Sequence, residues 1–298
     1  MFVGGQGGFG PCDADGDIQA MMDMDAPSDH GLRQHYARPE LVAAITDALA
    51  ASGYALTDIT SNDLSPVDEF HVGGARATTT LFQKLAPTPD MTILDIGCGI
   101  GGPARHLATH YGCTVTGVDL SEDYITCGQV LNQWVALDDR ITLHTGSALS
   151  LQIADDSIDL AYMLHVGMNI ADKASLMQEV GRVLTPGGRF AIYDIMQRQD
   201  GTPHYPLPWA EHAGLSALGT PSNYRKAIEN ADLQLVSEID HTEMAIEFFT
   251  AAAAKPAGPL GLHILMGPSA GDKARSLARQ IKSGILAPIE MIAQKPPQ

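Results

Sequence analysis

The spacing of apolar positions along this chain changes near residue 90. From Pro39 onward, Leu41, Ile45, Ala48 and Leu49 recur at three- and four-residue intervals until Gly53, which predicts a helix. A polar stretch runs to Pro66, and residues 71–86 (HVGGARATTTLFQKLA) read as a second helix. After the turn signal Pro87-Thr88-Pro89-Asp90, short apolar runs alternate with helix-length segments. The runs Met91–Ile96, Cys113–Val118, Arg140–His144, Ile158–Leu164 and Arg189–Ile195 read as strands, and Leu233–Ile239 and Pro288–Gln294 as two more. Between them, Pro103–His110, Tyr124–Ala136 and Lys173–Leu184 read as helices, with Pro103 suited to a first turn and Ser121 to an N-cap.

Strands separated by helices of this length predict an α/β domain, a doubly wound Rossmann-like sheet covered on both faces. Residues 1–30 are Gly-rich and then acidic, with no Lys or Arg, and are expected to form a flexible tail. The remaining boundaries are a helical cap over 31–86, the strand–helix core over 87–196, a lid over 197–232 and closing strands and helices over 233–298. The lid assignment rests on the Pro- and His-rich stretch around Tyr205-Pro-Leu-Pro-Trp209, which is longer than an ordinary connection.

Composition narrows the function. Thirty-five acids oppose 18 bases, a formal net charge of −17, and no basic run exists, which argues against a nucleic-acid partner. No apolar run is long enough for a membrane span, and the N-terminus lacks the features of a secretory signal, so a cytoplasmic location is expected. Cys12, Cys98, Cys113 and Cys127 form no CxxC pair and have no His at metal spacing, so free thiols and no metal are expected. A homodimer is compatible with the sequence, which does not fix the oligomeric state.

The segment Leu94-Asp95-Ile96-Gly97-Cys98-Gly99-Ile100-Gly101-Gly102 carries the most chemistry. Glycines at a strand–helix turn bring the backbone close to a ligand, and Asp119 at the end of the next strand suits ribose hydroxyls. Together they predict a nucleoside cofactor at the carboxyl edge of the sheet. Gly97, Gly99 and Gly102 also satisfy a dinucleotide fingerprint, so an NAD-dependent oxidoreductase is an alternative. Asp95 weighs against it, because a carboxylate beside the first glycine opposes a pyrophosphate and favours a cation such as a sulfonium.

LDIGCGIGG (94–102), GVDL (117–120), GSAL (146–149) and RVLTPGG (182–188) resemble, in order and separation, the motifs of class I S-adenosylmethionine-dependent methyltransferases, over roughly residues 67 to 240. DEFHVGGARAT (68–78), LHVGMNIADK (164–173) and PLPWA (206–210) resemble the small-molecule members near the sarcosine/dimethylglycine and quinone- or natural-product-modifying groups. The resemblance implies a seven-stranded sheet with its last strand antiparallel, S-adenosylmethionine as cofactor, and methyl transfer to N, S, O or C of a small acceptor. It implies that Gly97, Cys98, Gly99 and Gly101, with Asp95, hold the methionine part, and that Asp119 binds the ribose. Leu120 would lie beside the adenine, with Ser147 and Ala148 at its far edge; the family often has Asp where Ser147 stands. A catalytically silent cofactor-binding protein is the remaining alternative.

Methyl transfer is an in-line displacement that needs a base only when the acceptor must lose a proton. His165 and Asn169, after the fourth strand, are candidates for a base and its orienting partner, and His165 for a cofactor contact; a helix cap or backbone bond is the ordinary role for such a His. Phe70 and His71 are expected to open the helix before the core and close over the site, Phe70 in the acceptor pocket and His71 as a further catalytic candidate, unless they form a hydrophobic staple. Tyr193 and Asp194 end the fifth strand and are assigned to the acceptor pocket, unless Asp194 is a satisfied strand-end carboxylate; Tyr205 and Trp209 in the lid are assigned to the pocket too. Those two aromatics would also serve simply by pinning the lid through burial.

Overall fold

The computed structural model of the chain describes residues 27–256 and 258–297. Helix α1 (Asp29–Tyr36) is capped by Ser28, whose side chain accepts from the Gly31 amide. Of the expected tail, residues 1–26 lie outside the described residues, while Asp29 and His30 are already helical. Helix α2 (Leu41–Ala51) buries Leu41, Ile45, Ala48 and Leu49, the four positions whose spacing predicted it. The polar stretch before Pro66 is not a loop: it holds helix α3 (Ser61–Asp68), started by a capping box between Thr60 and Asp63. Helix α4 (Gly74–Leu85) starts three residues later than expected, because Gly73 adopts φ 91° and breaks the turn. Phe70 and His71 therefore lie in the connection and do not open the helix.

The core alternates β1 (Thr92–Ile96), α5 (Gly102–Tyr111), β2 (Thr114–Asp119), α6 (Glu122–Trp134), β3 (Ile141–Thr145) and β4 (Ile158–Leu164). It continues with α7 (Lys173–Val183), β5 (Leu184–Gln197), α8 (Pro221–Asn230), β6 (Gln234–Asp240) and α9 (Thr242–Ala253). Short α10 (His263–Met266), α11 (Ala270–Lys282) and β7 (Leu286–Gln294) complete it. The seven strands form one sheet in the order β3-β2-β1-β4-β5-β7-β6. β7 runs antiparallel to both β5 and β6, and the other paired strands are parallel. This is the doubly wound, Rossmann-like α/β sheet expected.

Side chains alternate between the two faces of β1: Ile93 packs with Val115, Leu107 and Phe82, and Leu94 with Met163, Leu176 and Ile192. A third cluster joins Ile45, Leu49 and Leu64 of the N-terminal helices to Ile100, Tyr124 and Leu131, so those helices sit over the glycine turn and α6. The segment after β5 divides in two. Leu207, Trp209 and Ala210 pack with Met168, Ile195 and Leu277. Helix α8, which fell inside the expected lid, instead buries Tyr224, Ala227 and Ile228 on the sheet, because its apolar stripe matches the face left open beside α7.

Winding runs outward from β1 to β3 on one side and from β4 to β5 on the other, which makes the β1/β4 boundary the switch point where loops diverge and a crevice opens.

Candidate active site

A cavity of about 340 Å³ occupies that crevice, walled by the carboxyl ends of β1 to β4, the N-terminal helices and the residues around Trp209. Gly97, Gly99 and Gly101 all have positive φ, at 71°, 54° and 84°. The turn they form is tied to β2, since the Gly97 and Cys98 amides both donate to the Val118 carbonyl, at 2.7 and 3.1 Å. Asp119 anchors it from below: its carboxylate accepts from the Gly99 amide at 2.9 Å and the Ser121 amide at 2.8 Å. Each carboxylate oxygen keeps a free lone pair, and the residue lines the cavity.

Asp95 is 2% exposed, and its Oδ2 has no hydrogen-bond partner among the described residues. Burial, reinforced by the negative charge of Asp119 and Glu69, pushes its carboxyl up to about 8. Cys98 also lines the cavity with a buried thiol whose pKa burial drives well up, so it is an inert wall and not a nucleophile. Leu120, Ser147 and Ala148 line the end beyond Asp119. Leu120 is held by Arg33, which donates to its carbonyl at 2.7 Å, and the Ser147 hydroxyl accepts from the Leu149 amide at 3.3 Å.

At the opposite end, His165 has φ 57°, and its ring stacks on Tyr193 with centroids 5.4 Å apart. His71 approaches from the cap with its ring centroid 6.0 Å from that of His165. Both histidines line the cavity. Burial lowers the His71 pKa to about 4 and that of His165 well below its usual value, so both rings are neutral at pH 7. The Nε2 of His165 is buried without a partner among the described residues. That of His71 lies 2.9 Å from the Thr78 hydroxyl, which donates to Glu69 at 2.6 Å.

Several expected site residues have other duties. Asn169 lines the cavity, but its carboxamide accepts from the Tyr36 hydroxyl and donates to the carbonyls of Trp209 and Leu215. With those bonds made it orients the lid, not His165. Asp194 is fully buried and does not line the cavity: it accepts from the Val166 and Gly167 amides and the Tyr224 hydroxyl, holding up the turn that carries His165. Tyr193 backs His165 and donates to the Val72 carbonyl at 3.0 Å. Tyr205 packs in the cluster behind Trp209 and does not line the cavity, whereas Phe70 and Trp209 do.

Other contributors went unnoticed in the sequence. Lys173 donates to the carbonyls of Gly167, Ile170 and Ala217, clamping the His165 turn to the lid. Tyr36 and Leu32 of α1 line the cavity, so a helix assigned to tail and cap forms part of its wall.

Two features fit a cationic nucleoside bearing an amino acid. The buried Asp95 carboxyl, with the Tyr162 hydroxyl beside it, invites a positive charge, and bare glycine backbone next to Asp119 leaves room for a ribose and its extension. Among the described residues, no group of three or more His, Cys, Asp or Glu is placed to hold a metal ion, and no helix is long and apolar enough to cross a membrane.

The model of the methyltransferase domain family matches residues 94–192. Methyltransferase GfsG of Streptomyces halstedii is 32% identical over 203 residues, which cover 66% of this chain and 69% of that protein. The glycine/sarcosine/dimethylglycine N-methyltransferase of Actinopolyspora halophila is 30% identical over 60% of this chain, a match that spans only 32% of that protein. Among solved structures, the [4+2]-cyclase SpnF superposes with a TM-score of 0.67 at 20% identity, covering 92% of this chain and 98% of that one. The geranyl diphosphate C-methyltransferase of Streptomyces coelicolor A3(2) gives 0.66 at 18% identity, covering 91% and 99%. At such identities the structures speak for the fold, while the family model and the Streptomyces halstedii relative weigh against the nicotinamide alternative. The chain belongs to the class I S-adenosylmethionine-dependent methyltransferases.

Proposed function

We propose that this enzyme methylates a small molecule held at the His71–His165 end of the cavity, with S-adenosylmethionine lying along the carboxyl edge from β1 to β3. One observation carries this reading: one cavity is lined both by the glycine turn with Asp119 and by the two buried histidines with Trp209.

S-adenosylmethionine supplies an activated methyl group on a sulfonium. In this reading Asp119 accepts the ribose hydroxyls, Leu120 packs against the adenine, and Ser147 and Ala148 border its far edge. The backbone of Gly97 to Gly101, with Cys98, receives the methionine part, and Asp95 faces its positive charge. His165 bounds the methyl-bearing centre, and Phe70 and Trp209 enclose the acceptor and exclude water. Asn169, Tyr193 and Asp194 act through the geometry of the His165 turn and the lid. Residues 31–86 serve as a cap and those around Trp209 as a lid over the core.

The enzyme's setting follows from its surface and size of site. A net charge of −17 supports a metabolite as acceptor in preference to a nucleic acid, and small-molecule metabolism in the cytoplasm is the setting proposed.

The test is S-adenosylhomocysteine formation with a panel of phenols, alcohols, amines and thioethers, followed by mass spectrometry of the acceptor. Acceptor-dependent turnover with one methyl added is expected. Tight S-adenosylmethionine binding with no turnover on a broad panel would instead indicate a silent binder.

A further inference from the structure

Among the described residues, no Lys or Arg lines the cavity at its acceptor end. Five aspartates, Asp29, Asp68, Asp95, Asp119 and Asp172, line the cavity, but no Lys or Arg does. Residues 1–26 contain no Lys or Arg either. Bases close by are held by other groups, Arg38 among them through the carbonyls of His35 and Ala37. Arg105 pairs with Asp68 and donates to Asn132 at 2.7 Å, Lys173 binds three carbonyls, and Arg33 holds the Leu120 carbonyl. A carboxylate or phosphate on the acceptor would be desolvated among like charges with no counter-ion. Phe70, Met168, Trp209 and Leu265 contribute apolar wall to the cavity, which suits an apolar body.

The polar groups there point to one kind of reacting atom. Thr78 has a single hydroxyl proton and donates it to Glu69 at 2.6 Å, so toward His71 Nε2, 2.9 Å away, its oxygen acts as acceptor. The His71 proton therefore sits on Nε2, and Nδ1 is left as the basic nitrogen. The Glu69 carboxylate lies 3.5 Å from the same ring, where it stabilises an imidazolium as one forms. All three residues are buried, so the arrangement is dry. An amine acceptor attacks through its own lone pair and has no use for such a chain, whereas a hydroxyl needs a base. A base oriented by a third group is how a weak oxygen nucleophile is activated.

Building on the function proposed above, we infer that the acceptor is an uncharged, largely apolar hydroxyl compound methylated on oxygen, with His71 as its base and Thr78 and Glu69 as positioning residues. The hydroxyl proton passes to Nδ1 of His71 as the oxygen forms its bond to the methyl carbon. The carbon–sulfur bond breaks with its electron pair remaining on sulfur, which leaves a neutral thioether. The imidazolium returns its proton to water when the products leave. The groups facing His71 during this step are Glu69 beside it in the same connection, Thr78 from α4, His165 from the turn after β4 and Tyr193 from β5.

The experiment titrates the S-adenosylhomocysteine-loaded protein calorimetrically with naphthol, a polycyclic secondary alcohol, a long-chain secondary alcohol, their phosphate esters, dimethylglycine and a hydrophobic primary amine. Turnover products with S-adenosylmethionine are identified by mass spectrometry. The neutral hydroxyl compounds are expected to bind at least ~10-fold more tightly than their phosphate esters and to give O-methyl products, since a buried unpaired anion costs several kcal/mol. Preference for a charged acceptor, or failure of every neutral hydroxyl compound to bind the loaded protein, overturns the inference. Failure of S-adenosylhomocysteine itself to bind would strike the reading under Proposed function instead.

The chain of residues is tested separately. Thr78→Val should lower kcat by roughly 10²-fold with acceptor affinity unchanged, while Thr78→Ser, which keeps the hydroxyl, stays within a few-fold of wild type. Glu69→Gln should lower kcat similarly with S-adenosylhomocysteine affinity retained. Equal activity of the Val and Ser variants, both folded by circular dichroism, would remove Thr78 from the mechanism.

Discussion

Gly97 and Val166 leave no space between them: a Cβ placed on Gly97 would fall 2.3 Å from Val166 Cγ2. This contact locks the glycine turn after β1 to the turn after β4, the two loops that part at the switch point of the sheet. Gly97 also sits at φ 71°, so both its backbone angle and its surroundings exclude a side chain.

Gly97→Ala should therefore displace one loop or the other, at a cost of about 1–3 kcal/mol in strain. A loss of at least ~10-fold in S-adenosylhomocysteine affinity is expected by calorimetry, following from that strain. Adding Val166→Ala should recover part of the loss, because it relieves the clash but not the backbone angle. Wild-type affinity in the single variant would show that the turn does not meet the cofactor.

Cofactor binding should release a proton at neutral pH. Burial holds the free Asp95 carboxyl near 8, so it is protonated at pH 7, and a positive charge brought opposite it favours the ionised form. The bound state then holds fewer protons than the free one. Affinity for S-adenosylmethionine should rise as pH rises toward 8 and level off above it. Calorimetry in buffers of different ionisation heat should report up to about one proton released at pH 7, the limit set by a single titrating group. Asp95→Asn should abolish the buffer dependence, and a buffer-independent wild type would contradict the role given to Asp95.

Asp194 should prove structural. Its carboxylate accepts three hydrogen bonds, from Val166, Gly167 and Tyr224, and the amide of Asn cannot accept at the nitrogen. Asp194→Asn is expected to lose about 2 kcal/mol in urea denaturation, the cost of leaving a buried donor unpaired. Stability equal to wild type, with kcat alone reduced, would instead place the carboxylate in the chemistry.

Asn169 ties the turn after β4 to two other elements: α1 through Tyr36, and the lid through the carbonyls of Trp209 and Leu215. Asn169→Ala should loosen the lid without disturbing the sheet. Hydrogen exchange should accelerate at the amides of residues 207–216 and remain unchanged in β1 and β4. Unchanged exchange over the lid would mean that apolar packing of Trp209 alone holds it.

Much of this architecture was readable in the residues, and the failures have physical causes. β4 was located to the residue because Ile158–Leu164 is an apolar run bounded by polar residues, the pattern of a strand buried on both faces. Helix α3 was missed because Leu64 and Val67 give it only two buried apolar positions, and its capping box looks like loop composition. Asp194 was assigned to the pocket by its place at the end of β5; the partners that turn it beneath the His165 loop lie about 30 residues away on either side and leave no local mark. Lys173 is similar, since a lysine at a helix start reads as surface until its three carbonyl partners are seen. The link from His71 to Thr78 and Glu69 depends on where α4 begins, and a one-turn shift in that helix would break it.

The most direct test of the whole account is calorimetric titration of the purified protein with S-adenosylhomocysteine and, separately, with NAD. Saturable one-site binding of S-adenosylhomocysteine, weakened by Asp119→Ala, with no heat from NAD, is the predicted result. Binding of NAD without S-adenosylhomocysteine would contradict the account.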